Sequence, residues 1–403
     1  MIRILVLLAA LCNIAFMAFN TVIGPIARVV GLAEWQIGLI VSVAGVCWMT
    51  ASRPWGRRAD SVGRQAVLQT GLTAFTVVFA LLCVSAALGL SGTIGTTLMF
   101  IALLITRGLL GGFYAAVPVA SQALIADALP PEQRSGGMAA LGAASGVGMI
   151  LGPAIGGLLG AYSLLLPLLL GIVLSAVALI ITIRSRPMLV TLERNSRAVA
   201  GMSPPLSWRD PRLRWPMFVA FCAMYSVMSA QVNTAFYIID RYRYEAAAAV
   251  SATGLVLTAV GLALISAQLL VRRLNTGSYY AYWTPIRMMA YGAAIAAVGF
   301  ALGTVMPTVL WMGVGYFLAG FGMGMVFPSF AAAASNAVSS QEQGISAGTM
   351  AAAQAAGMVA APLFSTLLYH LRPELPFWVA SAVLWVVCLG SIARLYQRQP
   401  NVA

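Results

Sequence analysis

Stretches of about twenty apolar residues, divided by short polar breaks, run the length of this chain. A helix of that length spans the ~30 Å hydrocarbon core of a bilayer. Each stretch with its connection takes roughly 30–35 residues, so 403 residues leave room for about twelve. Hydropathy places them at about 4–28, 34–55, 66–90, 95–120, 136–160, 163–183, 215–239, 247–271, 286–306, 308–333, 345–369 and 375–394. A soluble core could not hide this much apolar side chain: the composition is 61% hydrophobic and 8% charged, with mean hydropathy +0.92. The expected fold is an all-α polytopic membrane protein, with the lipid bilayer as its first partner.

Every basic residue is an arginine: 23 stand against 10 acids, a formal net charge of +13. On a soluble chain this balance would suggest nucleic acid. Beside membrane spans it sets topology instead, and no nucleic-acid partner is expected. With the N-terminus in the cytoplasm, Arg28, Arg241, Arg243 and Arg372 fall outside, Arg107 falls within the membrane, and the other arginines fall inside. Both termini are therefore expected in the cytoplasm. The opening "MIRILVLLAALCNIAFMAFN" reads as an uncleaved first span rather than a signal peptide. Cys12, Cys47, Cys83, Cys222 and Cys388 form no CxxC pair and have no neighbouring histidine, so they read as buried thiols, with no metal site and no cofactor.

The longest polar break, "RSRPMLVTLERNSRAVAGMSPPLSWRDPRLRW", begins at Arg184 and reads as a linker, with room for a short helix at the membrane surface. It divides the chain into a six-helix bundle over 1–184, a cytoplasmic linker over 185–214 and a second six-helix bundle over 215–403. The bundles carry a faint repeat. An offset of 209 places Pro153 on Pro362, Gly148 on Gly357 and Gly111 on Gly320, with no gap across two spans and a loop. Pseudo-symmetric halves of this kind are typical of secondary transporters, which bind substrate between them near mid-membrane.

Three motifs sharpen this reading. "GRRADSVGRQ", expected as a loop between the second and third spans, sets an acid among arginines. It resembles the signature of the major facilitator superfamily, with Gly56, Asp60, Gly63 and Arg64 matching; Arg58 and Ser61 depart from the usual pattern. In the fourth span, "RGLLGGFYAA" holds Arg107, the one charge well inside a span, where burial is expensive. Its spacing to Gly111 resembles a second motif, seen in proton-coupled members; a structural arginine bonded to neighbouring carbonyls is the alternative. In the fifth span, "GVGMILGPAIGG" matches at Gly148, Gly152, Pro153, Gly156 and Gly157 the motif of the superfamily's proton-driven exporters. Small residues four apart let another backbone approach, and Pro153 frees the carbonyl of Met149 and permits a kink. In the family this seam packs against a helix of the other half as a hinge and seal. The chain thus resembles twelve-helix drug:proton antiporters, the tetracycline and multidrug exporters among them.

The resemblance implies a cytoplasmic latch, with Asp60 near the start of the eleventh span around Gly344 to Ser346, and Arg64 paired with Asp127 at the end of the fourth. It implies a small-molecule substrate moved against protons by a monomer. Many such antiporters carry a carboxylate inside the first or fourth span, but here every acid lies at a span end or in a loop, and His370, the sole histidine, is placed outside. Two couplings stay open: Asp127 titrates, or the substrate carries the exchangeable charge. Arg107 does not titrate in the useful range. A cation would meet a lone arginine with no carboxylate, so an anionic, zwitterionic or neutral substrate fits better, a siderophore or metallophore for instance. Polar candidates for the pathway are Asn20, Tyr114, Tyr225, Gln231, Asn233, Tyr316 and Gln354, with Phe19 and Trp48 placed to stack. Each serves equally well as a hydrogen bond between helices.

Other classes fit less well. An importer by proton symport would use the same fold, and the fifth-span motif argues against it by association. An intramembrane enzyme would need clustered acids, histidines or nucleophiles at membrane depth. A sensor would normally add a soluble output domain. ATP-driven transport by this chain is excluded, because there is no lysine to complete a P-loop.

Overall fold

A computed structural model describes residues 2–128, 131–185, 210–274, 283–339 and 342–397, with a few side chains inside those ranges excepted. Those residues form α-helices and short connections: α1 (Ile2–Val30), α2 (Glu34–Val62), α3 (Arg64–Leu90), α4 (Thr96–Tyr114), α5 (Ala116–Ala128), α6 (Pro131–Gly160), α7 (Leu166–Arg184), α8 (Arg214–Tyr242), α9 (Ala246–Leu274), α10 (Pro285–Val305), α11 (Val309–Asn336), α12 (Gln343–Leu371) and α13 (Leu375–Gln397). Among the described residues, 12 helical segments are long and apolar enough to cross a membrane. The chain is a multi-pass, all-α membrane protein.

Two expectations change in detail. The fourth span, Thr96–Ile125, is interrupted by a turn at Ala115 that separates α4 from α5. Pro118 lies just beyond; it has no N–H for the carbonyl of Tyr114, four residues back, so the helix loosens there. The stretch from Gly56 to Gln65 is not a loop. α2 runs on to Val62 and α3 begins at Arg64, leaving only Gly63 between them. Arg57 to Val62 contains no helix breaker, and Gly63 turns the chain at φ 105°, ψ 147°, a conformation open essentially to glycine alone.

The helices cluster into two compact units, Met1–Met202 with Glu245–Gly254, and Ser203–Tyr244 with Leu255–Ala403. In the first, α1 packs on α6 and α7, and α4 packs on α2 and α3. In the second, α10 packs on α11 and α13, and α12 packs on α8. Lipid offers helices no hydrophobic reason to associate, so close backbone approach must supply the attraction. Glycines provide it. A methyl on Gly111 would strike the carbonyl of Ala44 on α2; one on Gly320 would stand 2.7 Å from the carbonyl of Val260 on α9. Gly148 faces α1 and Gly357 faces α8. The pairs related by the 209-residue repeat therefore do the same packing work in their own units. Large apolar side chains such as Leu81, Val84, Leu98 and Ile105 point outward, as lipid-facing positions do.

Candidate functional site

α4 turns two faces to different surroundings. Ile105 is 56% exposed, while Arg107, two residues on, is fully buried (0%) on the face that also carries Gly108, Gly111 and Tyr114. Arg107 Nη2 donates to Asn20 Oδ1 on α1 at 3.4 Å. The guanidinium lies 4.3 Å from the ring centre of Phe19 and 4.7 Å from that of Phe16. Cation–π contact of this kind lowers the energy of a desolvated cation. Among the described residues, Nε and Nη1 have no hydrogen-bond partner. The bland alternative, a guanidinium satisfied by carbonyls of neighbouring helices, is therefore not what is found.

Tyr114, two turns below Arg107 on α4, accepts a hydrogen bond from Asn13 Nδ2 at 3.0 Å. Its ring stacks on Phe16 at 4.9 Å and meets Trp48 edge-on at 5.1 Å. Three of the expected pathway residues, Arg107, Asn20 and Tyr114, thus come together in the first unit, with Phe19 and Trp48 beside them. Asn13 and Phe16 complete the group and were not singled out from the sequence. The signal was present: Asn13 and Asn20 lie seven residues apart, on one helix face.

The second unit holds the other candidates. Asn233 Nδ2 donates to the carbonyl of Ser229 and to Ser365 Oγ, both at 2.8 Å. Tyr316 shares a 2.9 Å hydrogen bond with Thr234 and packs edge-on to Phe300 and Phe377. Tyr316 stands at the repeat position of Arg107, so a neutral hydroxyl in one unit answers the charge in the other. Gln231 Oε1 and Asn233 Oδ1 are buried without a partner among the described residues. Tyr225 is buried and stacks on Phe221 at 6.3 Å, and Gln354 is half-buried on α12.

The glycines of the fifth-span motif settle mainly on α1. Gly148 abuts Asn13, Gly152 abuts Ile14 and Met17, and Gly156 abuts Ala18. Thr21 donates its hydroxyl to the carbonyl of Pro153 at 3.2 Å. Gly157 backs onto Gly254, in the α9 segment that clusters with this unit. Gly148, Gly152 and Gly156 thus join α6 to α1, while Gly157 meets α9, a helix of the second bundle as the sequence divides the chain.

On the motif between the second and third spans, Gly56 and Gly63 are described and Arg64 opens α3. The side chains of Asp60 and Asp127 lie outside the described residues, as does most of the linker, residues 186–209, that had room for a short surface helix. Outside the spans, Arg212 holds two acids of the second unit: Nη2 lies 2.8 Å from Asp210 Oδ2 and 3.0 Å from Glu342 Oε1. Hydrogen bonds from Arg212, then from the backbone N–H of Ser339, bring the Glu342 carboxyl down to about 2. Arg212 likewise lowers Asp210. Among the described residues, no group of three potential ligands could hold a metal ion, and all five cysteines are free.

The Major Facilitator Superfamily model matches residues 5–362. The tetracycline resistance protein, class C, of Escherichia coli is 27% identical over 367 residues, 89% of this chain and 86% of that one. Human major facilitator superfamily domain-containing protein 10 is 27% identical over 363 residues, 83% of this chain and 73% of that one. Among solved structures, the human organic anion transporter MFSD10 (TETRAN) superposes with a TM-score of 0.67 at 20% identity, covering 97% and 98% of the two chains. The peptide transporter POT in complex with sulfate reaches 0.71 at 13%, covering 98% and 94%. With that family match over most of its length, twelve membrane-length helices and a charged site between α1 and α4, the chain belongs to the Major Facilitator Superfamily of transporters.

Proposed function

We propose that this protein exports small organic molecules from the cytoplasm by proton antiport, and that it favours substrates bearing a negative charge. The observation that carries the reading is Arg107: fully buried, bonded through one nitrogen to Asn20, with Nε and Nη1 unpartnered. A buried charge with unused donors is costly unless something of opposite sign joins it. No acid stands at mid-span to do so. An anionic group on the substrate would complete the site as the unit opens to it, and Phe16, Phe19, Trp48 and Tyr114 would hold its apolar body. The similarity to tetracycline resistance proteins supports the outward direction. The similarity to a human organic anion transporter agrees with the sign of the charge.

Coupling then falls to acids at helix ends. Asp127, which closes α5, is our choice as the titrating group, partnered by Arg64 at the start of α3, with Asp60 in the same cytoplasmic latch. The protein works as a monomer in a bacterial inner membrane with both termini in the cytoplasm. Inside-out vesicles with an acidic lumen and a fluorescent pH reporter test the whole reading. Addition of an aromatic carboxylate should release protons, and Arg107→Ala should abolish the release. Release by a cationic dye that survives Arg107→Ala would overturn it.

A further inference from the structure

We propose that the site reads its substrate at two points, an acid group at Arg107 and a hydroxyl at Asn13, and so takes elongated aromatic acids carrying a polar group at the far end. This rests on the reading of Arg107 given above and adds a second, independent contact. Asn13 is 5% exposed. One end of its amide is engaged by the Tyr114 hydroxyl, while Oδ1 has no partner among the described residues. Turning the amide over exchanges the two ends but leaves one of them unpaired either way. A hydroxyl, donor and acceptor at once, satisfies both cases.

The geometry fixes the length and body of the ligand. Asn13 and Asn20 are separated by two helical turns, about 10 Å along α1. Phe16 lies between them, in contact with the guanidinium above and the Tyr114 ring below. Trp48 meets both rings, Tyr114 at 5.1 Å and Phe16 at 6.5 Å, and is the partly exposed member of the group. Two polar ends joined by a wall of rings suit a flat aromatic molecule with a polar atom at each end. Gly148 has a part in this. Any side chain there would collide with Cβ, Cγ and Oδ1 of Asn13. The first glycine of the fifth-span motif therefore keeps open the space that Asn13 occupies, and acts as a positioning residue for it.

The test is calorimetric titration of the purified full-length protein with a biphenyl carboxylate and with the same acid bearing a hydroxyl on its far para carbon. The hydroxylated acid should bind about five- to tenfold more tightly, the span of one net hydrogen bond. Asn13→Leu should make the two acids bind equally, and Gly148→Ala should reduce the preference. Equal binding of both acids to the wild-type protein would overturn the two-point reading and leave the Arg107 reading standing. Failure of both acids to bind would overturn the two together. The decisive ratio is measured on the unaltered protein, so it does not depend on how well a variant folds.

Discussion

Arg107 is a charge that the fold alone does not explain. Packing could fill its place with leucine, and removing a buried ion often leaves a protein as stable or more so. Its surroundings are arranged for the charged form: two phenyl faces, one amide oxygen and two nitrogens held in reserve. Arg107→Gln should therefore separate stability from binding. The melting temperature should hold or rise, while affinity for an aromatic carboxylate should fall roughly thirtyfold, the loss of a charge-assisted contact of about 2 kcal/mol. Thermal unfolding and titration on the same preparation check both halves. At this scale much of the site was legible. An arginine at mid-span is conspicuous in any sequence, and Asn20, Tyr114, Phe19 and Trp48 follow from asking what could face it. Asn13 was legible only through its seven-residue spacing to Asn20, and Phe16 was harder to see: a phenylalanine in an apolar run has no distinguishing spacing until the helix partner is known.

Elements show which glycines matter. Gly156 lies 2.7 Å, measured from an added Cβ, from the carbonyl of Ala18, while Gly146 on the same helix has nothing within 4 Å. Gly156→Ala should destabilise by about 1–3 kcal/mol through forced separation of α6 from α1. Gly146→Ala should be neutral or stabilising by up to ~1 kcal/mol, since alanine is the better helix former. Gly63→Ala should cost about 1–3 kcal/mol because its backbone is at φ 105°. Gly56→Ala, whose Cβ would meet only Val119 at 4.0 Å, should leave the melting temperature unchanged. Melting curves in one detergent compare all four. Twelve spans were readable because bilayer thickness imposes helix length on the sequence. The helical continuation through Arg57 to Val62 was not: polar residues after a span read as loop by hydropathy, while the backbone needs only the absence of a breaker. The turn at Ala115 was missed for the opposite reason, since hydropathy runs unbroken across it.

For the whole molecule, the two units must each hold together while a transport cycle runs. In the second, Arg212 ties the entry of α8 to the start of α12 through Glu342. The Glu342 carboxyl is depressed from 4.5 to about 2. Its contribution to stability is thus complete above pH 4.5 and is lost as pH falls toward about 2. Glu342→Gln should flatten that acid limb in a plot of melting temperature against pH, and leave the curve's shape above about pH 5 unchanged. The repeat was legible as an offset, and its physical reason is that Gly111 and Gly320, like Gly148 and Gly357, each take a close helix approach within their own unit. The expectation of an anionic, zwitterionic or neutral substrate came from charge alone, because charge shows in a sequence and the distance between contacts does not. The central claim is that the first unit selects negative charge through Arg107. Its most direct test is the binding of three biphenyls of one shape, a carboxylate, a neutral amide and an ammonium, followed by calorimetric titration. The account predicts the order carboxylate, amide, ammonium in the wild-type protein and its collapse in Arg107→Gln. Tightest binding of the ammonium, unchanged in that variant, would contradict it.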